Sequence, residues 1–191
     1  MKMYTEKTAA AVLGKLLRRT RSEARDALKY TWIDSAGRQC CCDGICAYRL
    51  RVPVAGLPDM PRHLSRIDLD RVFPDKNGLQ AVELPALDDL AALIAADRLS
   101  KGNPRQYHYA FGEGLPVVNA KYLRDMMRLY PDAQCFISGT SKPLLFLSAH
   151  GDGLLMPLHV HDHSPRTMPS KPAEKRTPVY SAAQFAARFA V

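Results

Sequence analysis

The most informative absence in this sequence of 191 residues is that of a long apolar segment. No uninterrupted apolar run approaches the roughly 18 to 20 residues that a helix needs to span a bilayer. The N-terminal residues 1–7 are not followed by an apolar core and a small-residue cleavage site. We therefore expect no membrane span, no secretory signal peptide and a cytoplasmic location.

The cysteines lack the pattern of a disulfide framework. There are only five, an odd number, and Cys40, Cys41 and Cys42 are adjacent, whereas small secreted domains carry an even set at regular spacing. Structural zinc usually needs two well-spaced ligand pairs. On a strand, Cys40 and Cys42 would face one side and Cys41 the other. We predict packing residues in a reducing compartment, with metal or redox chemistry at residues 40–46 as the alternative.

Recognisable catalytic motifs are also missing. The sequence contains no phosphate-binding loop, no G-x-S-x-G and no H-E-x-x-H. Its acidic residues show no spacing that is typical of an acid–base pair. Alternating histidines at 159–163 would converge on a metal only if a strand continued through them, and we favour a polar strand end. We therefore predict a protein that is not an enzyme and that uses no cofactor or metal.

What the sequence does have is an excess of positive charge. Lys and Arg number 27 against 19 Asp and Glu, a net charge of +8, and 47% of the residues are hydrophobic, enough for a buried core. The excess is uneven, because residues 1–60 carry a net charge of +5 and residues 61–100 a net charge of −2. A basic surplus of this size favours a polyanionic partner such as nucleic acid.

Hydrophobic periodicity predicts a mixed α+β fold. Apolar residues recur at helical spacing in 5–20, 86–98 and 120–130. Alternation and turn residues predict strands at 27–34, 39–52 (interrupted at 43–44), 106–111, 115–119, 133–138, 143–149 and 153–160. Residues 53–80 are rich in Pro, Asp and Gly, and we expect them to be irregular.

The helix predicted at 120–130 carries a row of cations. Lys121, Arg124 and Arg128 are spaced i, i+3 and i+7, which places them on one side of the helix. Its apolar residues fall mainly on the other side. Such a row can contact a phosphate backbone without reading bases, although a solvated outer face is the simpler interpretation of one isolated helix.

A second group of cations lies on the helix predicted at 5–20. Lys15, Arg18 and Arg19 cluster near its C-terminal end, where cations also complement the helix dipole. Because two helices of one small chain are basic, we predict a surface that faces nucleic acid.

Three motifs in the second half of the chain occur in a recognisable order. They are Val-Val-Asn-Ala-Lys-Tyr-Leu-Arg-Asp-Met at 117–126, Ser-Lys-Pro-Leu-Leu-Phe-Leu at 141–147 and Leu-Leu-Met-Pro-Leu-His-Val at 154–160. Together they resemble the C-terminal part of bacterial DNA sliding clamps, the beta subunit of the replicative polymerase. That part has a strand leading into a helix, a Ser-Pro-Leu-Leu-Ile strand and a Met-Pro-hydrophobic-Arg-Leu end. Cys-Asp-Gly at 42–44 with Tyr-Arg-Leu at 48–50 is similar to the family's Thr-Asp-Gly-His-Arg-Leu segment.

The resemblance implies one clamp-like α+β domain with an antiparallel sheet and packed helices. The domain would comprise residues 1–160, with an insertion at about 53–103, followed by a linker and a short helix at 161–191. Clamp domains turn their helices toward the duplex inside a ring, so the six cations would contact DNA phosphates. A ring would need a homo-oligomer, because this chain has the length of one domain.

Clamps also carry a pocket in which polymerases dock, formed at the Met-Pro end. Its counterpart here would consist of Pro143, Leu154, Met156, Pro157 and Leu158, and the expected partners would be replication proteins. The leading hypothesis is a DNA-binding processivity factor. The alternatives are a clamp-derived peptide-binding module that does not bind DNA, and a metal-binding regulator.

Overall fold

The computed structural model describes residues 4–19, 26–99 and 107–158. Within these ranges the α-helices are α1 (Glu6–Arg19), α2 (Leu87–Leu99) and α3 (Ala120–Leu129). The strands are β1 (Trp32–Ile33), β2 (Gln39–Cys42), β3 (Cys46–Leu50), β4 (Gln80–Val82), β5 (His108–Ala110), β6 (Val117–Asn119), β7 (Gln134–Ile137), β8 (Leu144–Ser148) and β9 (Gly151–Leu155). No helix in these ranges has the length and apolar character needed to cross a bilayer. The linker and helix predicted at 161–191 lie outside the described residues.

Seven strands form one antiparallel sheet in the order β1-β2-β3-β9-β8-β7-β4. At its centre β3 pairs with β9, and Tyr48 lies opposite Gly153. β8 pairs with both of its chain neighbours, β7 and β9. β5 and β6 form a separate two-stranded antiparallel sheet. The fold is therefore α+β with an antiparallel sheet and packed helices, as predicted.

The three helices cover one face of the large sheet, which we call the helix face. α3 packs against both α1 and α2. Apolar residues of all three helices share one buried cluster with side chains from the sheet, among them Tyr48 and Phe146. Because α3 has a helix on either side, only the side that points away from the sheet is left for solvent or a ligand.

Local signals explain where the two basic helices begin. Thr5 Oγ1 accepts a hydrogen bond from the N–H of Thr8 at 3.2 Å at the start of α1, and Asn119 Oδ1 accepts one from the N–H of Lys121 at 3.0 Å at the start of α3. Both are side-chain caps that satisfy free N–H groups of the first turn. The buried stripe of α1 consists of Ala9, Val12, Leu13, Leu16 and Leu17. The helices predicted at 5–20 and 120–130 are confirmed.

Gly153 allows α3 to lie close to the sheet. A Cβ atom at this position would overlap Met126 Sδ and press on the ring of Tyr130. Tyr130 is buried, and its hydroxyl donates a hydrogen bond to the carbonyl oxygen of Asp152 at 2.9 Å. Any larger residue at 153 would push α3 away from β9, so this glycine sets the height of the helix above the sheet.

The opposite face of the sheet, which we call the loop face, is covered by residues 60–79. Trp32 and two side chains of this segment, Leu69 and Phe73, bury a second apolar cluster against the strands. The helix predicted at 86–98 is confirmed as α2. β4 forms where no strand was predicted, and only its first residue, Gln80, falls within the residues that we expected to be irregular. The region predicted as an insertion therefore supplies an edge strand to the sheet and a helix to the helix face.

The strand predicted at 27–34 is largely wrong. Residues Asp26–Lys29 form a 3-10 helix, and only the two residues of β1 pair with β2. The cause is a competing partner for the backbone of Thr31, whose N–H donates to Pro58 O while its carbonyl accepts from the N–H of Met60, both at 2.8 Å. Residues 39–52, predicted as one strand interrupted at 43–44, form two antiparallel strands, β2 and β3, because the chain reverses at that interruption.

Candidate nucleic-acid interface

The side of α3 that points away from the sheet carries three cations, which we call the α3 row: Lys121, Arg124 and Arg128. Arg128 is exposed and the other two are half-buried. Within the part of the chain that the structure describes, none of the three forms an ion pair, and no acceptor reaches Arg124 Nε. The three cations that sequence spacing places on one side of the helix therefore form no ion pair with another described residue.

Lys121 is held in place by an aromatic ring. Its Nζ lies 3.4 Å from the centroid of the Tyr107 ring, a cation–π contact that orients the ammonium without cancelling its charge. Tyr107 is itself fixed by its backbone, since its N–H donates to Asp97 Oδ2 at 2.7 Å and its carbonyl accepts from the N–H of Ala120 at 2.7 Å. The start of the α3 row is thus anchored to the chain that precedes β5.

Two cations of α1 reach across to α3. Lys15 Nζ donates to Asp125 Oδ2 at 2.7 Å, and Arg19 Nη1 lies 3.9 Å from the same oxygen. Arg19 also lies 4.0 Å from Asp43 Oδ2 and places its guanidinium 4.5 Å from the centroid of the Tyr122 ring. Asp125 is four residues after Lys121 and three before Arg128, so these contacts bring the α1 cations beside the α3 row.

Burial in this cluster is unequal between the partners. The side chain of Asp125 is 1% exposed, whereas that of Lys15 is 42% exposed and that of Arg19 is 25% exposed. Asp125 Oδ1 and two guanidinium nitrogens of Arg19 have no hydrogen-bond partner among the described residues. The carboxylate therefore lies underneath, and Lys15 is the more exposed of its two cations, since Nε and Nη2 of Arg19 are buried.

Arg18 does not join this group. It lies on the other side of α1, where its Nη1 is 3.3 Å from the position that a Cβ atom of Gly14 would occupy. With Lys29 and Leu57 it lines a separate cavity of about 300 Å³. Of the six cations predicted to face nucleic acid, five are brought together and Arg18 is not.

Comparisons with protein-family models, with curated proteins and with solved structures found no match. The likeness to sliding clamps is therefore carried by short motifs, at 42–50, 117–126, 141–147 and 154–160. We infer the function of the chain from its own charges and contacts.

The predicted peptide-pocket residues are divided between the interior and the surface. Leu154 is 2% exposed and belongs to the apolar cluster of the loop face, so it is not available to a ligand. Pro157 is buried, while Pro143 and Leu158 are half-buried. The backbone N–H of Leu158 donates to the carbonyl oxygen of Val117 at 2.7 Å.

Met156 is the exposed member of that set, at 38%. Its N–H donates to the carbonyl oxygen of Ile45 at 2.9 Å, and Ile45 is another of the large apolar residues that are exposed. The two form a small apolar patch at the end of the large sheet. Among the five residues predicted to form a peptide pocket, Met156 is thus the one most open to a ligand, and the pocket itself stays a prediction.

The cysteines are packing residues of the two apolar clusters. Cys41 points to the helix face, and Cys40 and Cys42 point to the loop face, as predicted. None of the five cysteines, all of which lie in the described residues, forms a disulfide, and burial raises the pKa of Cys40 and of Cys135 to about 12. No group of three metal-ligating side chains occurs among the described residues, and the histidines at 159–163 lie outside them.

The sequence signal for the α3 row was correct, but the partners that organise it were missed. Asp125, Tyr107 and Tyr122 decide which cations are held and where. A single acid within a basic helix was the available signal for Asp125. No signal in the sequence pointed to the two tyrosines, because a tyrosine is common both at the surface and in the core.

Proposed function

We propose that this protein binds the phosphate backbone of duplex DNA through the helix face, as a non-enzymatic, clamp-like module. The observation that carries the proposal is the α3 row, whose three cations are unpaired within the described residues and lie beside Lys15 and Arg19. Cations without an internal partner gain most from an external anion. The net charge of +8 favours the same class of ligand.

The dimensions of the row suit a duplex. Seven residues of an α-helix advance about 10 Å, and duplex DNA carries one charge per about 1.7 Å of its axis, so the row would face about six phosphate charges. Contacts of this kind release counterions and depend on salt but not on base sequence. We therefore expect binding without strong sequence preference.

Lys15 and Arg19 would extend the contact from α3 to α1. Their bond to Asp125 keeps them at the junction of the two helices, and their outward exposure leaves them accessible to phosphate oxygens. Lys15 would make the more direct contact of the two, because Nε and Nη2 of Arg19 are buried and Arg19 would add mainly its positive charge. Arg18 is excluded from the proposed interface by its position on the other side of α1.

The resemblance to clamps adds a role in replication, with the sheet turned outward and the helices turned toward DNA. The α3 row can contact a duplex from one side without a ring. Encirclement would require several copies of this chain, since one copy is too small to surround a duplex. Five cysteines without a disulfide fit a reducing cytoplasm as the location.

The test is the salt dependence of binding, measured by fluorescence anisotropy with a labelled DNA duplex of mixed sequence. For the variant Arg124→Glu/Arg128→Glu we expect affinity to fall about tenfold or more, and the slope of log affinity against log salt to become shallower by about two. Both changes follow from the loss of two phosphate contacts.

The matched control is Arg62→Glu/Arg71→Glu, which reverses two exposed charges on the segment that covers the loop face. It makes the same change in net charge, and we expect its affinity and salt slope to stay close to those of the unchanged protein. Equal losses in the two variants would show that only net charge matters. Unchanged binding in the α3 variant would refute the proposed interface.

A further inference from the structure

A groove of about 520 Å³ lies at the edge of the large sheet that β4 forms. One wall is β4 together with the residues that lead from it to α2, and the other wall comes from the β5–β6 hairpin. The hairpin contributes Tyr109, Phe111 and Leu115, and the β4 side contributes Leu84. The groove is thus lined by aromatic and aliphatic side chains on both sides.

The β4 wall offers a free strand edge. β4 is the last strand in the sheet order, with β7 on one side and no other strand on the other side within the described residues. Gln80 and Ala81 are exposed. An edge strand presents unpaired N–H and C=O groups, which an extended segment can satisfy by adding a further strand.

The groove is negatively charged. Glu83 and Asp89 are both exposed and both line it. Burial raises the pKa of Tyr109 to about 12, and the charges of Asp89 and Glu83 add to that increase, which places both carboxylates within electrostatic reach of the same ring. An occupant should therefore be extended, carry positive charge and have apolar side chains that pack against the aromatic residues of the hairpin wall.

A segment of that composition leaves the described structure next to the groove. The last described residue, Leu158, is hydrogen-bonded to Val117 of β6, and Leu115, two residues before Val117, lines the groove. Residues 159–191 contain five Lys or Arg against two Asp or Glu, and also Tyr180, Phe185 and Phe189. An extended chain advances about 3.5 Å per residue, so about ten residues span about 35 Å and reach is no obstacle.

We propose that part of residues 159–191 of the same chain docks in this groove as an added strand along β4. Backbone hydrogen bonds to the free edge of β4 would give affinity, and aromatic side chains of the segment would pack against the apolar residues that line the groove. Lys or Arg side chains would meet Glu83 and Asp89. Docking would cover the exposed edge of the sheet and leave the α3 row free.

The test is photo-crosslinking in the full-length chain, with p-benzoylphenylalanine in place of Ala81 on the β4 wall. After irradiation at low protein concentration, mass spectrometry should identify a link between position 81 and a peptide within 159–191, in the monomeric species. The matched control places the same probe at Val52, which is exposed and follows the central strand β3. The Val52 probe should give no such link.

Several outcomes would overturn the proposal. These are crosslinks from position 81 only to residues 4–158, crosslinks between two chains, crosslinks to a co-purifying protein, and the absence of any crosslink. A crosslink between two chains would indicate that a second copy occupies the groove. A crosslink to a co-purifying protein would indicate that a peptide of that protein occupies it.

A charge variant tests the chemistry of recognition separately. In the Ala81 probe background, Glu83→Gln/Asp89→Asn should lower the yield of the link to 159–191 about fivefold, because two desolvated charge contacts are lost. The variant Asp68→Asn/Asp75→Asn, on exposed parts of the loop-face segment, should leave the yield unchanged. Equal yields in both variants would overturn the charge-based part of the proposal. Circular dichroism checks that both variants fold.

Discussion

Each face of the large sheet carries an ion-pair cluster with a buried and an exposed partner. The buried partner is an acid on the helix face and an arginine on the loop face. On the helix face the carboxylate of Asp125 is 1% exposed, and the cations that pair with it face outward. On the loop face the guanidinium of Arg49 is 11% exposed, and it pairs with Asp70, whose side chain is 56% exposed. The helix face therefore presents positive charge, and this part of the loop face presents negative charge.

The Arg49 cluster is the more tightly bound of the two. Arg49 Nη1 lies 2.7 Å from Asp70, its Nη2 lies 3.1 Å from Asp152, and its guanidinium lies 3.7 Å from the centroid of the Phe73 ring. Each cluster keeps buried atoms without a hydrogen-bond partner among the described residues: Arg49 Nε in one, and Asp125 Oδ1 with Nε and Nη2 of Arg19 in the other. The comparison teaches that burial of one partner leaves the charge of the other partner at the surface.

The largest effect should come from removing the buried cation of the loop face. Arg49→Ala leaves Asp152 partly buried without its partner and removes the contact with Phe73, so we expect a loss of about 3 kcal/mol in the free energy of unfolding. Urea denaturation measures it. The control Arg71→Ala removes an exposed pair with Asp68 and should cost less than about 0.5 kcal/mol. Similar losses of unfolding free energy in Arg49→Ala and Arg71→Ala would show that burial of the arginine makes no difference.

An intermediate effect should follow from removing the buried charge of the helix face. Asp125→Asn keeps a side-chain acceptor for Lys15 but deletes a negative charge beneath the proposed interface. A unit charge about 7 Å from a phosphate is worth about 0.6 kcal/mol in water, so we expect DNA binding about threefold tighter. Asp70→Asn makes the same charge change on the loop face and should leave affinity unchanged. Weaker binding by a folded Asp125→Asn protein would contradict the proposed role of this face.

The smallest effect should appear in acid stability, at the rim of the loop-face network. Burial alone would raise the pKa of Asp34, but hydrogen bonds from the main chain and side chain of Arg38 outweigh burial and hold that pKa below its usual value. The stabilisation is therefore complete above the pKa of the unfolded chain and is lost as the pH falls through the lower, folded pKa.

For Asp34→Asn we accordingly expect the free energy of unfolding to fall less steeply between about pH 4 and about pH 2 than in the unchanged protein. Urea denaturation across that interval measures the slope. Ser35→Ala changes an exposed neighbour that does not titrate, and its slope should match that of the unchanged protein. An unaltered slope in Asp34→Asn would mean that the Arg38 contact is not maintained in solution.

Local patterns were sufficient for most elements of this fold. Helical spacing of apolar residues, with Thr5 and Asn119 as caps, predicted α1 and α3, and turn residues separated β7, β8 and β9. The strand β4 was missed because its three residues follow a stretch rich in Pro, Asp and Gly, and its pairing partner β7 lies more than fifty residues later in the chain. A short edge strand has no periodicity of its own, so only its partner reveals it.

The candidate site was predictable in part for the same reason. The spacing of Lys121, Arg124 and Arg128 places them on one side of any helix, whatever surrounds it. Spacing could not show which of the α1 cations would lie beside α3, because an exposed position was compatible with each of Lys15, Arg18 and Arg19. Their fates differ only because α3 packs against one side of α1 and presents Asp125 there, while Arg18 points to the opposite side.

The sequence alone predicts the α+β class, the rows of cations on the helices and the alternation of Cys40, Cys41 and Cys42 between two faces. These features depend only on the regular repeat of side-chain directions along a helix or a strand. Which cations are neutralised, which strand forms the edge and which face becomes positive depends on contacts between residues far apart in the chain. The Lys15–Asp125 pair joins residues 110 positions apart. Such a contact forms only when packing brings two helices together, and packing is a property of the whole fold.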